Sequence, residues 1–223
     1  MIARFLPGLA ALAMVGALAT TSANAIEIVA FGQSIAGQSP VTGTASAGTT
    51  TISTTNAQVS VTSCLDCGPL ITPQLLTLSA VSTGAAVSVF GFAIQTYSGS
   101  FSILAGPENI LSGTFNDAVF GSGTSLTLSV SNASPGSSLT LTSSVLPAKF
   151  LLNPEAMSLS FASVTPTVRT TPTGCNGTTG CTLAGFRSSV AGTFSATPTP
   201  EPATLGLLGI GLLGIGLVRR RKH

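Results

Sequence analysis

The side chains best suited to chemistry are few in this 223-residue chain, and they are unevenly placed. Four cysteines form two local pairs, Cys64-Leu65-Asp66-Cys67 and Cys175–Cys181. In an oxidising compartment the default is disulfide bonding, and four cysteines permit three connectivities. The local solution closes Cys175–Cys181 around Asn176-Gly177-Thr178-Thr179-Gly180, a turn-rich loop that tolerates the bridge. A dithiol redox centre would instead place Cys64-x-x-Cys67 at a strand-to-helix junction. Gly68-Pro69 follows at once and breaks any helix there. A four-cysteine zinc site fits the spacing but not an oxidising space. Structural disulfides are the reading adopted.

Proton-transfer groups are scarcer still. Residues 26–199 contain no histidine, the usual general base, metal ligand and triad member. Glu108, Asp117 and Glu155 would form a glycosidase-like dyad only if folding paired them, and nothing in the sequence does so. No Asp-rich loop suggests calcium. Sugar platforms draw on exposed Trp or Tyr, but the chain has no Trp and a single tyrosine, Tyr97. The phenylalanines after Phe5 fall mostly on strand alternation positions, which suits a core. No catalytic, cofactor-binding or metal-binding residue is assigned, no cofactor is expected, and the chain is expected not to be an enzyme.

Charge excludes one more class. Only 6% of residues are charged, against roughly 25% in an average soluble domain. Arg4, Arg219, Arg220, Arg221 and Lys222 sit at the two ends. The middle is left with Lys149, Arg169 and Arg187 against Glu27, Asp66, Glu108, Asp117 and Glu155. That is no clustered basic face, so no nucleic-acid partner is expected.

The two ends speak of destination. Arg4 precedes an apolar run, Leu9–Ala19, and Ala23-Asn24-Ala25 is an A-x-A cleavage site. Residues 1–25 therefore read as a signal peptide cut by the general secretion machinery, with the mature chain starting at Ile26. The apolar run is too short to span a bilayer. At the other end, Pro200-Glu201-Pro202 forms a stiff, extended segment because proline fixes φ and biases the residue before it. Ala203–Val218 is expected to be a glycine-rich transmembrane sorting helix, spanning about 24 Å and so somewhat short of the bilayer core. Arg219, Arg220, Arg221 and Lys222 would act as a membrane stop that stays cytoplasmic, leaving the domain outside.

This tail, residues 200–223, resembles the PEP-CTERM sorting signal in its Pro200-Glu201-Pro202-Ala203-Thr204 start, its Gly/Leu-rich apolar stretch and its terminal Arg cluster. The resemblance implies processing by an exosortase, a membrane enzyme whose catalytic residues are its own. It further implies passage through the inner membrane, then a cell surface or matrix built on exopolysaccharide.

Residues 26–199 read as one all-β domain. Val59-Ser60-Val61-Thr62, Leu126-Thr127-Leu128-Ser129-Val130, Ser158-Leu159-Ser160-Phe161 and similar runs alternate apolar and polar, as half-buried antiparallel strands do. A sandwich or jelly roll is expected. Asn132–Ser137 is a hairpin candidate, and a short helix is expected around Pro154–Met157. Gln38–Ala57 is low in complexity and fits a loop, an edge strand or a flexible leader. Ser and Thr take the polar strand positions where Lys or Glu are usual, giving a hydrated, nearly uncharged surface open to O-glycosylation. Asn132-Ala133-Ser134 and Asn176-Gly177-Thr178 match an N-glycosylation acceptor incidentally. The functional expectation is a non-enzymatic surface or matrix protein, structural or adhesive, in an exopolysaccharide layer or biofilm. A small carbohydrate-binding module is the alternative, with a hydrolase behind it.

Overall fold

Alternation becomes strand in the computed structural model, which describes residues 25–90, 92–122, 125–151 and 154–197. In chain order come β1 (Ile26–Gln33), β2 (Val41–Ser46), β3 (Thr49–Cys64), β4 (Gln74–Ser82) and β5 (Val87–Val89). Then follow β6 (Phe92–Ala105), β7 (Glu108–Ser122), β8 (Ser125–Ser131) and β9 (Ser138–Thr142). The order ends with β10 (Ala156–Thr165), β11 (Thr170–Thr171), β12 (Thr182–Leu183) and β13 (Phe186–Ala196). The domain is all-β and antiparallel, as its periodicity requires.

The ladders run β6-β4-β3-β1-β13-β10-β8-β7, and β7 pairs again with β6 from Ala93↔Gly121 to Ala105↔Glu108. The sheet thus closes on itself instead of forming two separate sheets. β2 continues the line of β1 between β3 and β13, β5 extends from β6, and β9 extends from β7. β11 and β12 make a separate two-stranded ribbon.

Eight strands enclose only enough room for side chains. Phe101 on β6 and Phe194 on β13 come from opposite walls, and their rings stack at 4.8 Å across the interior. Phe31 flanks Phe194 at 6.2 Å. Gly192, two residues before Phe194, shares its inward phase on β13, and a larger residue has no place there. A Cβ at that position would meet Phe31 Cε1 at 2.5 Å and Leu159 Cδ2 at 2.6 Å.

Three local expectations are revised. β8 and β9 are not a hairpin: both run antiparallel to β7, β8 along Ala118–Ser122 and β9 along Ser112–Asn116. The loop 132–137 is therefore an excursion in one line, closed by Asn132. Its Oδ1 accepts from Leu139 N, and its Nδ2 donates to Leu139 O at 2.7 Å, as a neighbouring strand would. The helix expected at 154–157 is absent, since Met157 is buried in β10 between Val130 and Phe194. A 3-10 turn occurs earlier, at Ala148–Phe150. Most of Gln38–Ala57 is strand: β2 and β3 join through Ala47 (φ 46°) and Gly48 (φ 82°), the left-handed pair of a tight hairpin.

The barrel has two unlike poles. Ala196 pairs with Ile26, Cys64 with Val29 and Gln74 with Ala105, so these all mark one end, the tail pole. Thr50, Ser82 and Tyr97 mark the other. Thr50 and Cys64 are separated by roughly 45 Å of β3 at about 3.3 Å per residue.

Candidate functional site

The far pole holds the densest polar chemistry. Thr50, Gln95 and Thr182 all occupy inward positions and are buried, as is Tyr97. Tyr97 Oη donates to Gln95 Oε1 at 3.0 Å. Gln95 Nε2 donates to Gly84 O at 2.9 Å and to Thr182 Oγ1 at 3.1 Å. Gln95 Oε1 also accepts from Leu183 N at 3.2 Å. Thr50 Oγ1 meets the Thr182 hydroxyl and donates to Leu183 O at 2.8 Å, while Thr50 N donates to Ser82 Oγ at 2.9 Å. Burial pushes the Tyr97 phenol well above its ordinary range, with the Thr50 hydroxyl acting weakly the other way.

This cluster fastens a strap, residues 166–185, across the end of the barrel. Cys175 and Cys181 are disulfide-bonded within the strap, with Cα atoms 5.6 Å apart. Three further bonds tie it to the short β5 side: Ala86 N to Cys181 O, Gly177 N to Ala86 O, and Ser88 N to Asn176 Oδ1, each 2.8 Å. Every polar atom named here is used inside the protein, so the cluster fixes the strap and presents no open nucleophile. Beside it stands an apolar tip, with Phe90 97% exposed and Val87, Val89 and Phe92 partly so. The sequence signal for the cluster is polar residues on the apolar phase, such as Gln95 between Ala93 and Tyr97; among the phenylalanines, which mostly suit a core, Phe90 stands outside it.

Other assigned residues fall far from this cluster. Cys64 and Cys67 form the second local bridge at the tail pole, also with Cα atoms 5.6 Å apart. The two cysteine pairs lie at opposite poles, so four-cysteine zinc is geometrically excluded. The segment after Cys67, residues 68–73, is a loop leading into β4 and not the helix that a dithiol redox centre needs. Glu108 and Asp117 are nine residues apart on β7, roughly 30 Å by strand rise, much too far for a glycosidase dyad. Glu155 is buried; it accepts from Leu141 N and lies 3.4 Å from Asn132 Nδ2. Burial raises its carboxyl above the ordinary range, partly offset by those bonds. With Asn132 it covers the outer edge of β9.

Ala25 is exposed immediately before β1. Ala23, Pro200, Glu201, Pro202, Arg219, Arg220, Arg221 and Lys222 lie outside the described residues, as does the apolar stretch 203–218. Among the described residues no helix is long and apolar enough to cross a membrane.

The functional-site geometry is thus a closed antiparallel barrel with a disulfide-tied strap, set directly before the C-terminal tail. Residues 198–222 match the PEP-CTERM protein-sorting motif, and the chain is a PEP-CTERM domain-containing protein. The motif covers about a ninth of the sequence and directs exosortase-dependent sorting of an exported protein, anchored in the membrane before processing. No curated protein and no solved structure matches the chain.

Proposed function

We propose that the barrel is a non-enzymatic structural or adhesive unit of an exopolysaccharide layer, delivered to the cell surface after exosortase processing. The observation that supports this is the register of its outer hydroxyls. Thr42, Ser53, Ser79, Ser100, Thr114 and Thr140 stand opposite one another across six consecutive strands. Thr77, Ser102, Ser112 and Thr142 form a second row two residues away. Between Cys67 and Pro107 there is no charged residue. Such a face offers donors and acceptors about 4.8 Å apart across the strands, without ionic preference, which suits a neutral polysaccharide.

A shallow groove over β6, β7 and β9, lined by Ser100, Ser112, Thr114, Thr140 and Thr142, favours the second reading, a carbohydrate-binding module. The buried Tyr97 supplies no aromatic platform for it. Co-sedimentation with purified neutral exopolysaccharide tests both. Ser100→Asp, Thr114→Asp and Thr140→Asp together are expected to abolish co-sedimentation, while a variant carrying three aspartates on β10, at Ser158, Ser160 and Ala162, retains it. Equal binding by all three proteins would reject the hydroxyl rows as the contact. Micromolar binding of one defined oligosaccharide would select the module.

A further inference from the structure

We propose that the tail pole of the barrel is a bilayer-docking surface, used while the uncleaved chain is still anchored. The inference rests on the membrane anchoring that the sorting motif brings, and not on the polysaccharide role. β13 ends at Ala196, which is buried and paired with Ile26, so the folded domain runs to the edge of the tail. Only six residues, 197–202, separate Ala196 from Ala203, where the apolar stretch begins, a path of seven Cα–Cα steps. Fully extended they reach about 25 Å. The pole that bears Ala196 is therefore held close to the membrane, whereas the Phe90 tip stands at the far end of the barrel.

The composition of the tail pole fits that position. The loop after β3 carries Ile71, 55% exposed, with half-buried Leu65 and Leu70 beside it. The loop between β9 and β10 reaches the same pole through Ser144 N to Asn109 O at 2.9 Å, and it adds half-buried Phe150 and Leu151. Lys149 Nζ sits 5.0 Å from the Phe150 ring centroid, a long side chain able to keep its charge at the water line above an apolar contact. Glu27, Asp66 and Glu108 lie at this pole too. They outnumber Lys149, so the contact is carried by apolar side chains and gains nothing from anionic lipid. The short tether raises the local concentration of bilayer at this face, so even a small apolar patch is engaged while the tail is intact. Cleavage removes the tether and the contact with it.

The absence of tryptophan gives a clean probe. Full-length chains carrying Ile71→Trp, Phe90→Trp or Leu212→Trp are each placed in phosphatidylcholine nanodiscs, with and without brominated acyl chains. Leu212→Trp, in the apolar stretch, reports anchoring. Ile71→Trp is expected to shift its emission to the blue and to lose most of its intensity to the brominated lipid, while Phe90→Trp keeps a water-like, unquenched signal. Adding anionic lipid should not deepen the Ile71→Trp quenching. Quenched Leu212→Trp with unquenched Ile71→Trp would overturn the docking proposal alone. Equal quenching of Ile71→Trp and Phe90→Trp would overturn it as well, since no pole would then be preferred. An unquenched Leu212→Trp would bring down the anchoring and the proposal together.

Discussion

Replacing both strap cysteines, Cys175→Ser with Cys181→Ser, isolates what the bridge contributes. The bridge closes a loop of six residues' separation. Loop-closure entropy for so short a loop is about 8 cal/mol/K, or about 2.4 kcal/mol at 25 °C. In a domain of this size that corresponds to a Tm loss of roughly 5–10 °C. The strap would still be held by Leu183 N on Gln95 and by the three bonds around Ala86 and Ser88, so the fold itself should survive. What changes is how easily the strap opens over Tyr97. As the only tyrosine in a chain without tryptophan, Tyr97 reports that opening by its emission and its ionisation. Its folded phenol holds its proton more tightly than the unfolded one, so stability is present below about pH 10 and falls as pH rises beyond it. In the double variant tyrosinate should form at a lower pH than in wild type, and added quencher should reach the ring. Urea melts and a tyrosinate absorbance titration measure both effects. A variant within about 0.5 kcal/mol of wild type, with Tyr97 still resistant to ionisation, would refute the view that the bridge holds the strap.

Gly192→Val forces a side chain into space occupied by Phe31 and Leu159 and should cost about 1–3 kcal/mol in urea melts, or prevent folding. Asn132→Ala removes both bonds to Leu139 and should cost about 1–3 kcal/mol, with faster hydrogen exchange confined first to β9. Glu155 holds its proton more tightly folded than unfolded; stability should fall as pH rises through and above about 4.5, and Glu155→Gln should flatten that slope in melts across pH 4–7. Glu201→Ala should leave the precursor uncut in the membrane, seen by intact mass as retention of Arg219–His223, whereas wild type loses that segment.

The parts legible in the sequence are those whose determinants are local. The sorting tail is contiguous, and Cys175–Cys181 closes a turn its own glycines can form. The strands announce themselves by alternation, with Met157, Leu159 and Phe161 overriding the helix that Pro154-Glu155-Ala156 suggested. Closure of the barrel was not legible, because it depends on β7 giving one edge to β6 and dividing the other between β8 and β9. No periodicity encodes that division; it depends on Asn132 standing in for a strand beside Leu139. The strap cluster was hidden for a different reason. In a chain where serine and threonine supply the ordinary solvent face, Thr50 and Thr182 look like surface residues. Only the pairing of Thr50 with Thr182, 132 residues later, turns two common hydroxyls into the buried fastening of a pole.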